Sequence, residues 1–281
     1  MFYSLRDYLV FFTIFCTLAE KMDVTVLALC PMPDHLHNAC KFVSWQQMVK
    51  FVQQYSRIFA REWNKSRKRK GSLLREKFGS APKLGNKAVR TTINYNNNNP
   101  VERNITVRAE DYRWNFLKYF RNKNPFSKTL VESEASSQLR GALQEVRSIR
   151  NNEEWVKYAQ LDRWMNGLDK EEIQQLADYI VTTWNVIDYA GAFSYYGDFD
   201  AMIRSFHDNT GSEYDIREDT DKYSDAVYAD CTRILMQDGL IGGVRDIPGL
   251  PIGQKIELYR LLSARTTARP SQLNKYLHIR G

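Results

Sequence analysis

The stretch Asp23-Val24-Thr25-Val26-Leu27-Ala28-Leu29-Cys30-Pro31-Met32-Pro33-Asp34-His35-Leu36-His37 decides how this chain folds. Asp23 to Cys30 is rich in β-branched and apolar residues and reads as a strand. Pro31-Met32-Pro33-Asp34 reads as a turn, because its prolines fix φ and donate no backbone hydrogen bond. His35 to Val43 is the returning strand, so the two make an antiparallel hairpin. Residues i and i+2 of a strand share a face, with Cα atoms roughly 6.5–7 Å apart. His35 and His37, two of the protein's four histidines, therefore point the same way while Leu36 turns to the core.

Upstream, residues 5–21 read as a helix. Its apolar run from Leu9 to Ala19 follows Arg6-Asp7 and precedes Glu20-Lys21, with no small-residue cleavage site. It is also too short to span a bilayer, so a buried first helix is expected rather than a leader or membrane anchor. Downstream, Ser44 is a natural N-cap for a helix from Trp45 to about Asn64. Met48, Phe51, Val52, Tyr55, Ile58, Phe59 and Trp63 fall at helical spacing and read as core; stacking of Tyr55 or Trp63 on a base is the alternative. Lys65-Ser66-Arg67-Lys68-Arg69-Lys70-Gly71 is either a solvated turn or a phosphate clamp built from Arg67, Lys68, Arg69 and Lys70. Ser72 to Pro82 is strand-like, Asn86 to Asn98 is helical, and Ala109 to Phe120 is a short aromatic helix. Asn94 to Asn99 is locally low in complexity but too short to be disordered.

Charge divides the chain. Residues 1–130 hold 23 Lys and Arg against 9 Asp and Glu, and residues 131–281 hold 17 against 24. A basic front and an acidic back argue for two modules, the first meeting a polyanion; chance segregation on a solvated surface is the plain alternative. The expected division is 1–125 for the first module, 126–150 for a linker rich in Ser, Glu and Arg, and 151–281 for an all-helical second module. Helices are expected near 153–166, 169–188, 198–207, 222–238, 252–264 and 270–278. The last two could form a helix-turn-helix, with simple helical packing as the alternative. Cys16, Cys30, Cys40 and Cys231 have neither CxxC spacing nor a disulfide pattern, which suits a reducing cytoplasm. His207 and His278 have no partner at ligand spacing and read as structural.

Tyr95 and Asn99 are four apart and share a helix face. Asn99 can offer a carbonyl oxygen to an ion held by His35 and His37, which would place Tyr95 beside a phosphate polarised by that ion. A phenol with a pKa near ~10 is a poor nucleophile at neutral pH, and a metal that stabilises the leaving oxygen compensates for this. Mg²⁺ and Mn²⁺ both fit; two imidazoles favour Mn²⁺. On the plain reading Tyr95 is an interfacial aromatic and Asn99 caps the helix before Pro100.

Met32-Pro33-Asp34-His35-Leu36-His37, followed by Ser44 and a long aromatic-basic helix, resembles the metal motif of the HUH tyrosine transposases. Closest in pattern are the small single-strand insertion-sequence transposases and their relatives associated with repetitive extragenic palindromes. Tyr95-Asn96-Asn97-Asn98-Asn99-Pro100-Val101-Glu102 looks like their tyrosine-helix end, and Glu110-Asp111-Tyr112-Arg113-Trp114 like the segment after it. The resemblance covers roughly residues 5–120. It implies an α+β, ferredoxin-like antiparallel sheet with helices, His35, His37 and Asn99 as metal ligands, and Tyr95 as a nucleophile forming a 5′-phosphotyrosine on single-stranded or hairpin DNA. It also implies a cytoplasmic, nucleoid-associated enzyme; the insertion-sequence relatives work as homodimers and the palindrome-associated ones need not. Two departures stand out. The family has a strand before its first helix, whereas here helix-forming residues begin almost at Met1. Its histidine strand continues with apolar residues, whereas here Asn38 and Ala39 follow. Both departures are compatible with a domesticated, catalytically inactive DNA-binding regulator on the same scaffold.

Overall fold

The computed structural model describes residues 1–71, 73, 79–208, 226–242, 246–247, 250–268 and 270–279. Most of the strand-like stretch 72–82 lies outside them. The chain divides into two compact units, Met1–Tyr214 and Asp215–Gly281.

The first unit is α+β. Helix α1 (Leu5–Lys21) starts at a capping box in which Ser4 and Asp7 satisfy each other's orphan backbone groups. Strands β1 (Thr25–Pro31) and β2 (Leu36–Lys41) form the expected antiparallel hairpin, pairing Cys30 with His37 and Pro31 with Leu36. Among the described residues the sheet has only these two strands, fewer than a ferredoxin-like sheet would have. A register irregularity between Val26 and Ala28 marks a bulge at Leu27. Val26 and Leu29 join one apolar core and Leu27 a second one. A bulge re-aims side chains in this way.

Helix α2 (Trp45–Ser66) follows its Ser44 cap and buries Phe51, Tyr55, Phe59 and Trp63. Tyr55 and Phe51 interlock with Phe15 of α1, which resolves that stripe as core. Helix α3 (Gly85–Glu102) runs past the expected stop and carries Pro100 inside it. Three 3₁₀ turns span Ala109–Asp111, Arg113–Asn115 and Leu117–Phe120. Phe116 between them is left-handed at φ 64, an uncommon conformation for a bulky residue. Its ring stacks on Phe12 at 4.4 Å and its carbonyl accepts from the Tyr189 hydroxyl at 2.6 Å.

The segment expected as a linker carries helix α4 (Ser137–Asn151), whose Leu139, Leu143, Val146 and Ile149 are buried in the same core as α1. Helices α5 (Tyr158–Met165) and α6 (Lys170–Trp184) complete that core. The compact unit therefore runs on through these helices to Tyr214. The physical reason is that α1 is apolar on every side, and a two-stranded hairpin with α2 leaves part of it to be covered. Short helices α7 (Tyr189–Phe193) and α8 (Phe199–Asp208) end the described part of this unit.

The second unit contains α9 (Ala226–Gln237), α10 (Ile252–Arg265) and α11 (Pro270–Tyr276) around Leu235, Leu258, Leu262, Leu273 and Leu277. The Thr232 and Tyr276 hydroxyls meet at 2.9 Å. Among the described residues both units are helical after Lys41 apart from isolated bridges, as expected for the carboxyl half.

Candidate active site

The hairpin presents His35 and His37 on one face, while Leu36 and Cys40 pack against the α1 core on the other. The imidazole centroids are 4.6 Å apart with planes at 80°. His35 Nδ1 donates to the Asp34 carboxylate at 2.6 Å. Burial would raise the Asp34 carboxyl, but the hydrogen bond and charge of His35 outweigh it and hold it below the usual value. Asp34 therefore orients the ring as a carboxylate behind a ligand histidine does; in the sequence it reads only as a turn residue.

That hydrogen bond leaves His35 Nε2 facing Asn99 Oδ1 at 3.2 Å. In a neutral ring both atoms carry lone pairs, an arrangement that a cation bridges. A doubly protonated ring, or the amide turned over, would make an ordinary hydrogen bond instead. His37 is more deeply placed. Burial, then the positive charges of His35 and Arg103, push its pKa down to about 3. It is neutral at physiological pH, and its buried Nε2 has no hydrogen-bond partner among the described residues. A buried ring nitrogen without a partner is uncommon, and the donor set of two imidazoles and one amide oxygen fits a divalent cation. Among the described residues no group of three or more His, Cys, Asp or Glu side chains is arranged to hold a metal.

The Tyr95 ring packs edge-on against His37, centroids 5.1 Å apart. All four expected residues, His35, His37, Tyr95 and Asn99, thus meet within one chain. The asparagine run that looked merely repetitive is a buried polar surface: Asn94, Asn96, Asn97, Asn98 and Asn99 are all enclosed.

Residues 6–99 match the family model "Transposase IS200 like". This segment is an IS200-like transposase domain. No curated protein and no solved structure matches the chain. Family membership brings DNA as the partner and DNA transposition as the activity class of the matched segment. No helix among the described residues is long and apolar enough to cross a membrane.

The basic loop sorts differently from the sequence expectation. Arg67 donates to Asp7 at 2.7 Å and stacks on Trp63 at 4.2 Å. Asp7 is fully buried and also accepts from the Tyr158 hydroxyl at 2.7 Å. Arg67 therefore neutralises a core carboxylate, and its charge is already engaged within the transposase domain. Lys68, Arg69 and Lys70 are exposed, with the Arg69 guanidinium over the Trp63 ring at 5.5 Å. His207, read as structural, contacts both Glu110 carboxylate oxygens at 3.0 Å.

Proposed function

We propose that this chain cuts and rejoins single-stranded, hairpin-bearing DNA, with Tyr95 as nucleophile and His35, His37 and Asn99 holding a divalent cation, Mg²⁺ or Mn²⁺. The observation that carries the reading is the Tyr95 ring lying against His37, which in turn neighbours the His35–Asn99 pair. When bound, the cation would draw charge from the scissile phosphate and steady the leaving oxygen.

The chain's own residues would do the rest. His37, held neutral by burial, keeps a lone pair available for coordination. Asp34 fixes the His35 tautomer so that Nε2 faces the site. Tyr95 Oη forms a bond to phosphorus as its proton passes to solvent. The P–O3′ bond breaks, its electron pair stays on the 3′ oxygen, and that oxygen takes up a proton. The 5′-phosphotyrosine conserves the bond, so a free 3′ hydroxyl can reverse the step and join strands without ATP. Lys68, Arg69 and Lys70 would grip phosphates, a charge-driven contact that weakens with salt. Such a substrate would place the enzyme in the cytoplasm, at the nucleoid.

The test is incubation of the full chain with hairpin-bearing single-stranded DNA and Mg²⁺ or Mn²⁺, followed by denaturing electrophoresis. A covalent protein–DNA adduct that disappears in Tyr95→Phe is expected. An adduct that persists in Tyr95→Phe would remove Tyr95 from the role. Salt-sensitive binding without an adduct in the wild-type chain would favour the regulator reading.

A further inference from the structure

Tyr95 and Asn99 occupy one row of α3, and Asn94 and Asn98 the adjacent one, a single residue or ~100° around the helix. The second row is hydrogen-bonded to a later segment of the chain. Asn94 Nδ2 donates to Ser205 Oγ at 2.8 Å, and Asn94 Oδ1 accepts from the Tyr196 hydroxyl at 2.6 Å. Asn98 Nδ2 donates to the Phe206 carbonyl at 2.9 Å. The Tyr196 hydroxyl also lies 3.0 Å from the Arg90 carbonyl, one turn earlier on α3.

The segment that makes these contacts is bound just as firmly to the hairpin. Asp188 N–H donates to the Val26 carbonyl at 2.8 Å, and Ile187 forms an isolated parallel bridge with Val26 of β1. Lys41 at the end of β2 sits over the Tyr195 ring at 5.6 Å. An apolar cluster distinct from the main core joins Leu27 of the hairpin, Ile93 of α3, and Ala192, Phe199, Met202 and Phe206 of the segment. Ala39 of β2 packs against this cluster. His207–Glu110 and Arg121–Asp200 tie the segment to the turns that follow α3. Residues 187–208 themselves lie beyond the matched residues 6–99.

We infer that residues 187–208 are a clamp that sets the rotation of the tyrosine helix against the histidine pair of its own chain, with Asn94, Tyr196 and Ser205 as positioning residues. Turning α3 by one residue would carry Tyr95 away from His37 and simultaneously leave Asn94 and Asn98 buried without partners. That double penalty makes the clamp directional. Its consequence is an active site complete within one chain, built by residues on both sides of the first long helical core. The catalytic consequence rests on the proposed role of Tyr95; the mechanical one does not.

The experiment has two arms that separate them. Hydrogen exchange is followed across residues 89–101 in the wild-type chain, in Asn94→Ala with Ser205→Ala, and in Tyr196→Phe, which keeps its ring and is the gentler variant. Exchange at least tenfold faster in this helix, with α1 peptides unchanged, is expected in both variants; unchanged exchange in Tyr196→Phe and in the double variant overturns the clamp whether or not the protein cuts DNA. In the second arm, single-turnover adduct formation is expected to fall at least tenfold in Ser205→Ala with single-stranded DNA affinity within twofold of wild type, and to be kept in Ser205→Thr, which retains the hydroxyl. Equal loss of rate and affinity would overturn the positioning role. Mixing Tyr95→Phe with His37→Ala chains should give no adduct; an adduct formed by the mixture would show a tyrosine delivered by a partner and overturn the single-chain site. Absence of any wild-type adduct would sink the proposed function and leave the exchange result to decide the clamp.

Discussion

Helices α1 and α3 are nearly equal in length, 17 and 18 residues; α1 is largely enclosed by the rest of the first unit and the carboxyl-terminal half of α3 is buried too, but by opposite chemistry. In α1 the enclosed run from Tyr8 to Ala19 is mostly aromatic and aliphatic, and even its Thr17 serves the Trp184 indole N–H at 3.1 Å. In α3 the enclosed run is Ile93 and Asn94, then Asn96 to Pro100. Apolar burial is non-directional and scales with area. Buried amides are directional: each must find a partner or leave a desolvated dipole. The first helix is therefore held in place, and the second is held in place and in rotation. A helix that must aim one phenol at one imidazole needs the second kind of restraint.

The contrast can be broken by substitution. Tyr95→Phe should lower adduct formation by ~10³-fold or more, about 4 kcal/mol of barrier, while the unfolding midpoint in urea stays at the wild-type value. Phe12→Ala should do the reverse. Its fully buried ring stacks on Phe116, and its removal should lower unfolding free energy by about 3–5 kcal/mol, measured by chemical denaturation. If instead Phe12→Ala were tolerated within about 1 kcal/mol, the picture of α1 as the apolar centre would fail.

Smaller effects sharpen the comparison within the polar contacts. Arg67→Ala leaves the buried Asp7 carboxylate without its cation and should cost about 2–3 kcal/mol, below the range for a fully enclosed pair because Arg67 is partly exposed and the Tyr158 hydroxyl still donates to Asp7. Lys68→Ala or Lys70→Ala should leave stability unchanged and reduce the slope of log affinity for single-stranded DNA against log salt by about 0.7. Identical behaviour of Arg67→Ala and Lys68→Ala would dissolve the distinction between an arginine paired with a core carboxylate and a surface grip. At the small end, Asn98→Ala should cost about 1–2 kcal/mol because it abandons the Phe206 carbonyl. Asn96→Ala should cost less, since its buried amide nitrogen has no hydrogen-bond partner among the described residues. The opposite ranking in denaturation curves would undo the argument that hydrogen bonds set the rotation of α3.

Much of this was legible in the residues. The period-2 placement of His35 and His37 and the four-residue spacing of Tyr95 and Asn99 are local rules, and the folded chain brings the two pairs together. The buried character of α1, the Ser44 cap and the aromatic stripe of α2 follow from equally local signals. Three things did not read out. Arg67 belongs to a charge run by composition, but its fate depends on Asp7, sixty positions earlier. The segment 126–150 has few large apolar residues, yet the few it has align on one face of α4 and close the core. The asparagine run has no hydrophobic period at all, so nothing in it signals burial.

By itself, then, the order of residues determined the hairpin, the aim of its histidines and the stagger of tyrosine and asparagine, because these depend on backbone geometry over a few positions. Tertiary structure alone decided that α4 to α6 wrap the first helix, that one arginine of the basic loop faces inward, and that residues 187–208 return to grip α3. Those outcomes depend on which surfaces were left uncovered and which dipoles were left unpaired once the local elements had formed, and neither is a property of any short stretch of chain.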